Sequence, residues 1–315
     1  MSAAAHAILP GRGGLFGKLS DVLWRNPRLT LFLMLAPPIL WLGVIYLGSL
    51  FALLAQSFFS IDEFSGLIKY EWTLKTYAEL LRPANLDIIV RTVSMAIAVT
   101  LASAIIAFPI AYYAARYARG KWKALFYLGA MLPLWSSYLV KIYAWKLILA
   151  KEGILNWIFA KLHLTPVLEA WLALPVIGGN SLSVSYTGTF LVFVYVWLPY
   201  MILPTQAALE RVPDSMLEAS SDLGGSPAQT FRHVLLPLAL PGIIAGSIFT
   251  FSLTLGDYII PQIIGSSRLF IGQAVYAHQG TAGNIPLAAA FTVVPIVIMG
   301  FYLWMAKRQG AFDAL

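Results

Sequence analysis

No charged residue occurs between Arg28 and Asp62, between Arg91 and Arg116, or between Glu169 and Glu210. An apolar segment of about 20 residues spans the hydrocarbon of a bilayer, and within lipid a chain must satisfy its own backbone, which a helix does. Gaps of this length leave little choice but a polytopic helical membrane protein. Composition agrees: of 315 residues 59% are hydrophobic and only 11% charged, against roughly 25% charged in soluble domains. The mean hydropathy is +0.77. A soluble enzyme is excluded on these grounds.

Six spans are expected. They run over 29–61 with Pro37 and Pro38 at an entrance or kink, 91–116, a stretch after Lys123 whose far end carries Lys141 and Lys146, about 187–209, from Pro237 to near Asp257, and 285–306. The part of the long uncharged run before residue 187, with Pro175, Gly178, Gly179 and Asn180, reads as loop. The net charge of +7 would suggest nucleic acid in a soluble chain. Here the cations Arg12, Lys18, Arg25, Arg28, Arg116, Arg119, Lys121, Lys123, Arg211, Arg232, Lys307 and Arg308 fall in alternate connections, while Asp62, Glu63, Glu71, Glu79 and Asp87 crowd the first loop on the other side. Lys and Arg are retained on the cytoplasmic side. The expected layout is a cytoplasmic tail (1–28), a six-span domain (29–306) and a cytoplasmic tail (307–315), with a lipid bilayer and not nucleic acid as surroundings.

One cytoplasmic connection, 210–237, is more than a turn. Ser215 and Glu218 have capping-box spacing. Met216, Leu217, Ala219, Ser220 and Leu223 recur at helical intervals, and Gly224 and Gly225 can end a helix in the left-handed conformation. Ser226 and Pro227 mark a second start. A helix this short is marginal alone and needs a surface to lie on. A partner's groove provides one; the chain's own spans or the lipid surface would serve as well.

Glu218-Ala219-Ser220, then Gly224, then Val234-x-Leu236-Pro237 resembles the EAA loop of ABC importer permeases, Glu-Ala-Ala-x3-Gly-x9-Ile-x-Leu-Pro. Ser220 and Val234 replace the second Ala and the Ile. The stretch from Leu132 to Trp145, with Glu152-Gly153 and Asn156 after it, is similar to the third-span region of the spermidine/putrescine-type permeases, and Gly256-Asp257-Tyr258 to Pro261 with Ile271-Gly272 to the end of their fifth span. Lys141 stands where that family more often has Arg. The resemblance implies the type I importer permease fold, a coupling helix seated on a separate ATPase, and solute delivery by a periplasmic binding protein in a bacterial inner membrane. It also implies a second homologous permease, a dimer of ATPase subunits holding ATP and magnesium, and a polyamine or related amino compound as solute. Coupling would fall to Ser215, Glu218, Ala219, Ser220, Gly224, Leu236 and Pro237.

Chemistry-bearing residues are otherwise sparse. Cysteine is absent, and His6, His163, His233 and His278 lie far apart, so no metal site is expected. Gly17-Lys18 approaches a phosphate loop, but Arg12 occupies the first glycine position and Leu19 the hydroxyl position. No catalysis is expected. Gly246, Thr250, Thr254 and Asp257 share one helical face, suited to a pathway or to a neighbouring helix, and Asp257 also suits a helix end in water. Lys141, about 18 residues up its span from Lys123, reaches a similar height by the same helical rise, so a Lys141–Asp257 pair near an outer gate is an expectation. Gly242 and Gly246 permit close helix approach. Pro109, Pro199, Pro204 and Pro295 should kink their spans. An ion-gradient-driven secondary transporter is the rival reading; it calls for broken helices at mid-membrane and internal repeats.

Overall fold

The computed structural model describes residues 23–62 and 64–308. The basic residues Arg12 and Lys18, His6, the acidic Glu63 and the end of the C-terminal tail lie outside the described residues. The chain divides into two units between residues 55 and 56. Most of the described part of the first belongs to helix α1 (Pro27–Gln56), about 45 Å long at 1.5 Å per residue. Pro37 and Pro38 lie inside it and are followed by a π turn at Trp41–Leu47. Two successive prolines leave two carbonyls one turn back without donors, and the ladder is re-formed in the wider spacing.

The second unit opens with a hairpin, β1 (Ser60–Ile61) against β2 (Ile68–Lys69), paired Ser60 to Lys69 and Ile61 to Ile68. Asp62 binds Lys69 at 2.7 Å and accepts the amides of Phe64 at 2.8 Å and Ser65 at 3.2 Å. These bonds, led by the one from Lys69, hold its carboxyl down at about 2. Helix α2 (Lys75–Leu80) follows.

Helix α3 (Pro83–Arg116) has 34 residues and starts eight residues before Arg91. Asp87, expected in a loop, is therefore helical. The reason is local: Arg91, buried, pairs with Asp87 one turn back and donates to the Leu269 carbonyl at 2.8 Å. The third expected span is broken. Helices α4 (Lys121–Trp135) and α5 (Tyr138–Ile148) meet at Ser136–Ser137 with a bend of 95°. Among the described residues five helices are long and apolar enough to cross a bilayer, six if the bent pair is counted as one span.

Short helices α6 (Ile154–Lys161) and α7 (Thr165–Leu172) lead to a 3-10 turn at Leu182–Val184, so the segment read as loop is partly helical. Ser185 then caps α8 (Tyr186–Glu210) by accepting the Gly188 amide at 2.9 Å. Helix α9 (Asp214–Asp222) comes next, then α10 (Pro227–Gly256), α11 (Ile259–Ile263), α12 (Ile271–Gln279) and α13 (Ile285–Arg308). Pro237 does not open the fifth span. It lies inside α10, just after a π turn at Phe231–Leu235, where the missing proline N–H leaves the His233 carbonyl without its usual donor.

The centre of this unit is α3, α8 and α10. A Cβ at Gly242 would lie 2.4 Å from Ala208 Cβ and 2.5 Å from the Pro204 carbonyl oxygen, and one at Gly246 would lie 2.9 Å from Met201 Sδ. The Gly-x3-Gly pair is thus the contact by which α10 crosses α8 within the subunit. Val192, Phe193, Val196, Met95, Val99 and Ile260 fill one buried cluster beside it, and α13 closes another, where Tyr302 and Ser247 share a hydrogen bond of 2.6 Å.

Candidate functional site

The residues singled out in the sequence lie along α10 and at its two ends, which its 30 residues set about 45 Å apart. At the first end, α9 begins with Pro213 as N-cap, whose ring fixes φ at −66°. The reciprocal cap expected between Ser215 and Glu218 does not form. Starting the helix at Asp214 places Ser215 already inside the first turn, out of reach of the free amides. The C-terminus meets expectation. Gly224 takes φ +77°, its N–H bonds the Ser221 carbonyl and that of Gly225 the Ser220 carbonyl, each at 2.9 Å, which together make a Schellman stop. Ser226 and Gln229 then form a capping box at the start of α10, with Pro227 in its first turn. A hydrogen bond of 2.8 Å between the hydroxyls of Ser220 and Thr230 fastens α9 to α10.

The two faces of α9 differ. Leu217 packs with Ala111, Leu209, Leu235 and Ala239. Met216, Ala219 and Leu223 point away, with Met216 50% and Leu223 89% exposed. Spaced three and four residues apart, they form a bare apolar stripe beside an open cavity of about 380 Å³ bounded by Ser220, Gly225, Gln229 and Val234. Glu218 is exposed, Leu236 half-buried and Pro237 exposed.

At the other end, polar groups are consumed internally. Asp257 terminates α10, and one of its carboxylate oxygens accepts the amides of Ile259 at 2.7 Å and Ile260 at 3.0 Å, capping α11. The other oxygen accepts the hydroxyl of Tyr138, whose ring stacks on Trp197 with centroids 5.9 Å apart. Lys141 donates to the Pro133 carbonyl at 2.6 Å, neutralising the end of α4 as a cation does at a helix C-terminus. Lys141 and Asp257 are not paired: the bend takes α5 off the axis of α4, so counting residues up a straight span misplaces Lys141. Thr250 and Thr254 are buried, with hydroxyls bonded to the carbonyls of Gly246 at 3.0 Å and Thr250 at 2.7 Å. Their stripe faces neighbouring helices. A Cβ at Gly272 would lie 2.7 Å from the Asp257 carbonyl oxygen, so α12 starts hard against this turn.

Tyr138, Arg91, Arg116 and Glu210 escaped the sequence reading. The Asp87–Arg91 spacing of four residues could have flagged one of them; nothing local signals the others. Among the described residues no three His, Asp or Glu side chains gather as a metal site would require.

Residues 15–310 match the model of the family described as binding-protein-dependent transport system inner membrane component, and the chain belongs to that family. It is 58% identical, over 97% of both chains, to the inner membrane ABC transporter permease protein YdcU of Escherichia coli (strain K12). Its identity to the spermidine/putrescine transport system permease protein PotB of the same organism is 29%, covering 81% of this chain and 90% of that one. A crystal structure of a bacterial ABC transporter that imports the acidic polysaccharide alginate shares the fold, with a TM-score of 0.63 at 16% identity over 92% of this chain and 99% of that chain. The protein is a multi-pass, inner-membrane permease subunit of an ABC importer, a transport subunit and not an enzyme.

Proposed function

We propose that this permease imports a polyamine or related amino compound, and that 210–237 is its coupling loop, with α9 seated in a groove of a separate ATPase that binds ATP and magnesium. The bare stripe of Met216, Ala219 and Leu223 carries this reading. A leucine left 89% exposed forgoes roughly 1.5–3 kcal/mol of burial, which a docked surface would recover. The Schellman stop, the capping box and the Ser220–Thr230 bond make α9 a rigid peg without help from that stripe. Ser215, Glu218, Ala219, Ser220 and Gly224 make or frame the contact, and Leu236 and Pro237 set where the loop rejoins its span.

In this reading both termini are cytoplasmic, and a second permease completes the solute path. A periplasmic binding protein delivers solute to the far side, and ATP-driven closure of an ATPase dimer pushes the pegs so that the spans rock between inward-open and outward-open. The amine substrate is supported by the likeness to PotB, whose name specifies spermidine and putrescine. In this reading Lys141 and Asp257 shape a gate from behind by holding the helix breaks, and Thr250 and Thr254 belong to the buried stripe of α10 beside it.

Co-purification tests the peg. The unaltered chain carries its ATPase subunit through affinity capture, and Glu218→Arg or Gly224→Asp loses it while the spans stay folded; retention in both variants refutes the docking role. Uptake of labelled putrescine or spermidine by proteoliposomes containing the full complex tests the substrate class.

A further inference from the structure

We propose that Arg116 and Glu210 are positioning residues for coupling, fastening the peg to two spans that the loop does not touch covalently. This rests on the docking role of α9 proposed above. The chain joins α9 only to α8 and α10, so by connectivity alone α3 and α4 would be free of it.

The side chains remove that freedom. Arg116, in the last turn of α3, donates from one terminal nitrogen to Asp214 at 2.6 Å and from the other to the Val212 carbonyl at 2.7 Å. Its side chain is 12% exposed and that of Asp214 82%. An ion pair with one partner so open to water adds little to stability. Four residues earlier, Glu210 at the end of α8 accepts the Lys123 ammonium at 3.0 Å, the Tyr127 hydroxyl at 2.9 Å and 3.0 Å on its two oxygens, and the Gln206 amide at 3.2 Å. Lys123 and Tyr127 both lie on α4.

The segment 210–214 is therefore clamped at one end to α4 and at the other to α3. From α4 the connection continues: Pro133 of α4 is bound by Lys141 of α5, and Tyr138 of α5 is bound to Asp257 at the far end of α10. A push on α9 reaches the Asp257 turn by two routes, along α10 and through α4 and α5. Loss of either clamp loosens the link between α9 and that span, without removing the packing of Leu217 on Ala111 of α3.

The test uses the complete complex, with its ATPase and binding protein, in proteoliposomes, reading solute imported per ATP hydrolysed. Arg116→Lys keeps the charge but not the two-pronged geometry, and Glu210→Ala removes the acceptor. Each should leave the ATPase bound and hydrolysing while the import-to-hydrolysis ratio drops about tenfold, within the usual range of a coupling free energy. A ratio unchanged in both variants overturns the proposal, as does a parallel fall in hydrolysis and import. Because the chain has no cysteine, spin labels can be placed at Ser221 on α9 and Tyr117 after α3. Their distance distribution should broaden in Arg116→Lys; a distribution as narrow as that of the unaltered chain also refutes it. If the unaltered chain fails to capture the ATPase at all, it is the docking role that fails.

Discussion

The two ends of α10 handle polar groups in opposite ways. At the Asp257 end nearly every polar group is committed inside the subunit: three donors converge on one carboxylate, and Lys141 closes the end of a broken helix. At the α9 end the backbone is equally well capped, yet Glu218, Met216 and Leu223 are left open. The first arrangement keeps a discontinuity in the helices at a fixed geometry. The second keeps a surface rigid and unspent. Secondary transporters use broken helices at mid-membrane to hold solute and ions; here the bend at Ser136–Ser137 and the turn at Asp257 are occupied by the protein's own side chains.

The contrast can be broken by stability measurements on the purified permease. Asp257→Ala should have the largest effect, because it strands the Tyr138 hydroxyl and two backbone amides, costing about 3 kcal/mol or more at 1–3 kcal/mol for each unsatisfied buried group. Thermal unfolding in detergent reads this directly. Glu218→Gln should leave the same curve in place, and equal losses in the two variants would erase the distinction. Gly242→Leu comes next. Its side chain must displace Ala208 and the Pro204 backbone, an overpacking worth about 1–3 kcal/mol, with loss of compact protein on gel filtration. Ser226→Ala removes one half of the capping box and should cost about 1 kcal/mol, visible as earlier hydrogen exchange in 226–230 with the Asp257 end unaffected.

The smallest effect concerns the hairpin. The Asp62 carboxyl lies at about 2 in the folded protein against an ordinary 3.8, chiefly through Lys69. A lowered folded value means its contribution is fully present above 3.8 and fades as pH falls toward 2. Asp62→Asn should flatten the hairpin's response across that window in amide exchange, and leave it unchanged at neutral pH apart from the lost ion pair.

Much of the fold was legible because long charge-free runs have one solution in a bilayer. The start at Ser226-Pro227 and the stop at Gly224 were legible because their chemistry is local. The cap at Ser215 misled because Pro213 and Asp214 compete for the same helix start, and the rigid φ of proline decides it. The bend at Ser136–Ser137 was not legible: two serines and one proline are ordinary in a span, and what holds the break open is a tyrosine and a carboxylate 119 positions apart in the chain. The strands of the hairpin are two residues each, too short for any periodicity. Contacts such as Arg116 to Val212 involve a backbone carbonyl, which leaves no mark in the sequence of the acceptor.

The π turn at Phe231–Leu235 holds one residue more than an α-helical path would need. An extra residue in a regular α-helix would turn everything before it by about 100°, whereas the wider turn absorbs it in place. Removing a single amino acid there would let the segment fall back to the α-helical path and keep the bearing of α9. The exposed stripe would hold its aim through such a deletion, whereas the same cut in a regular stretch of the span would swing it by more than a quarter of a circle.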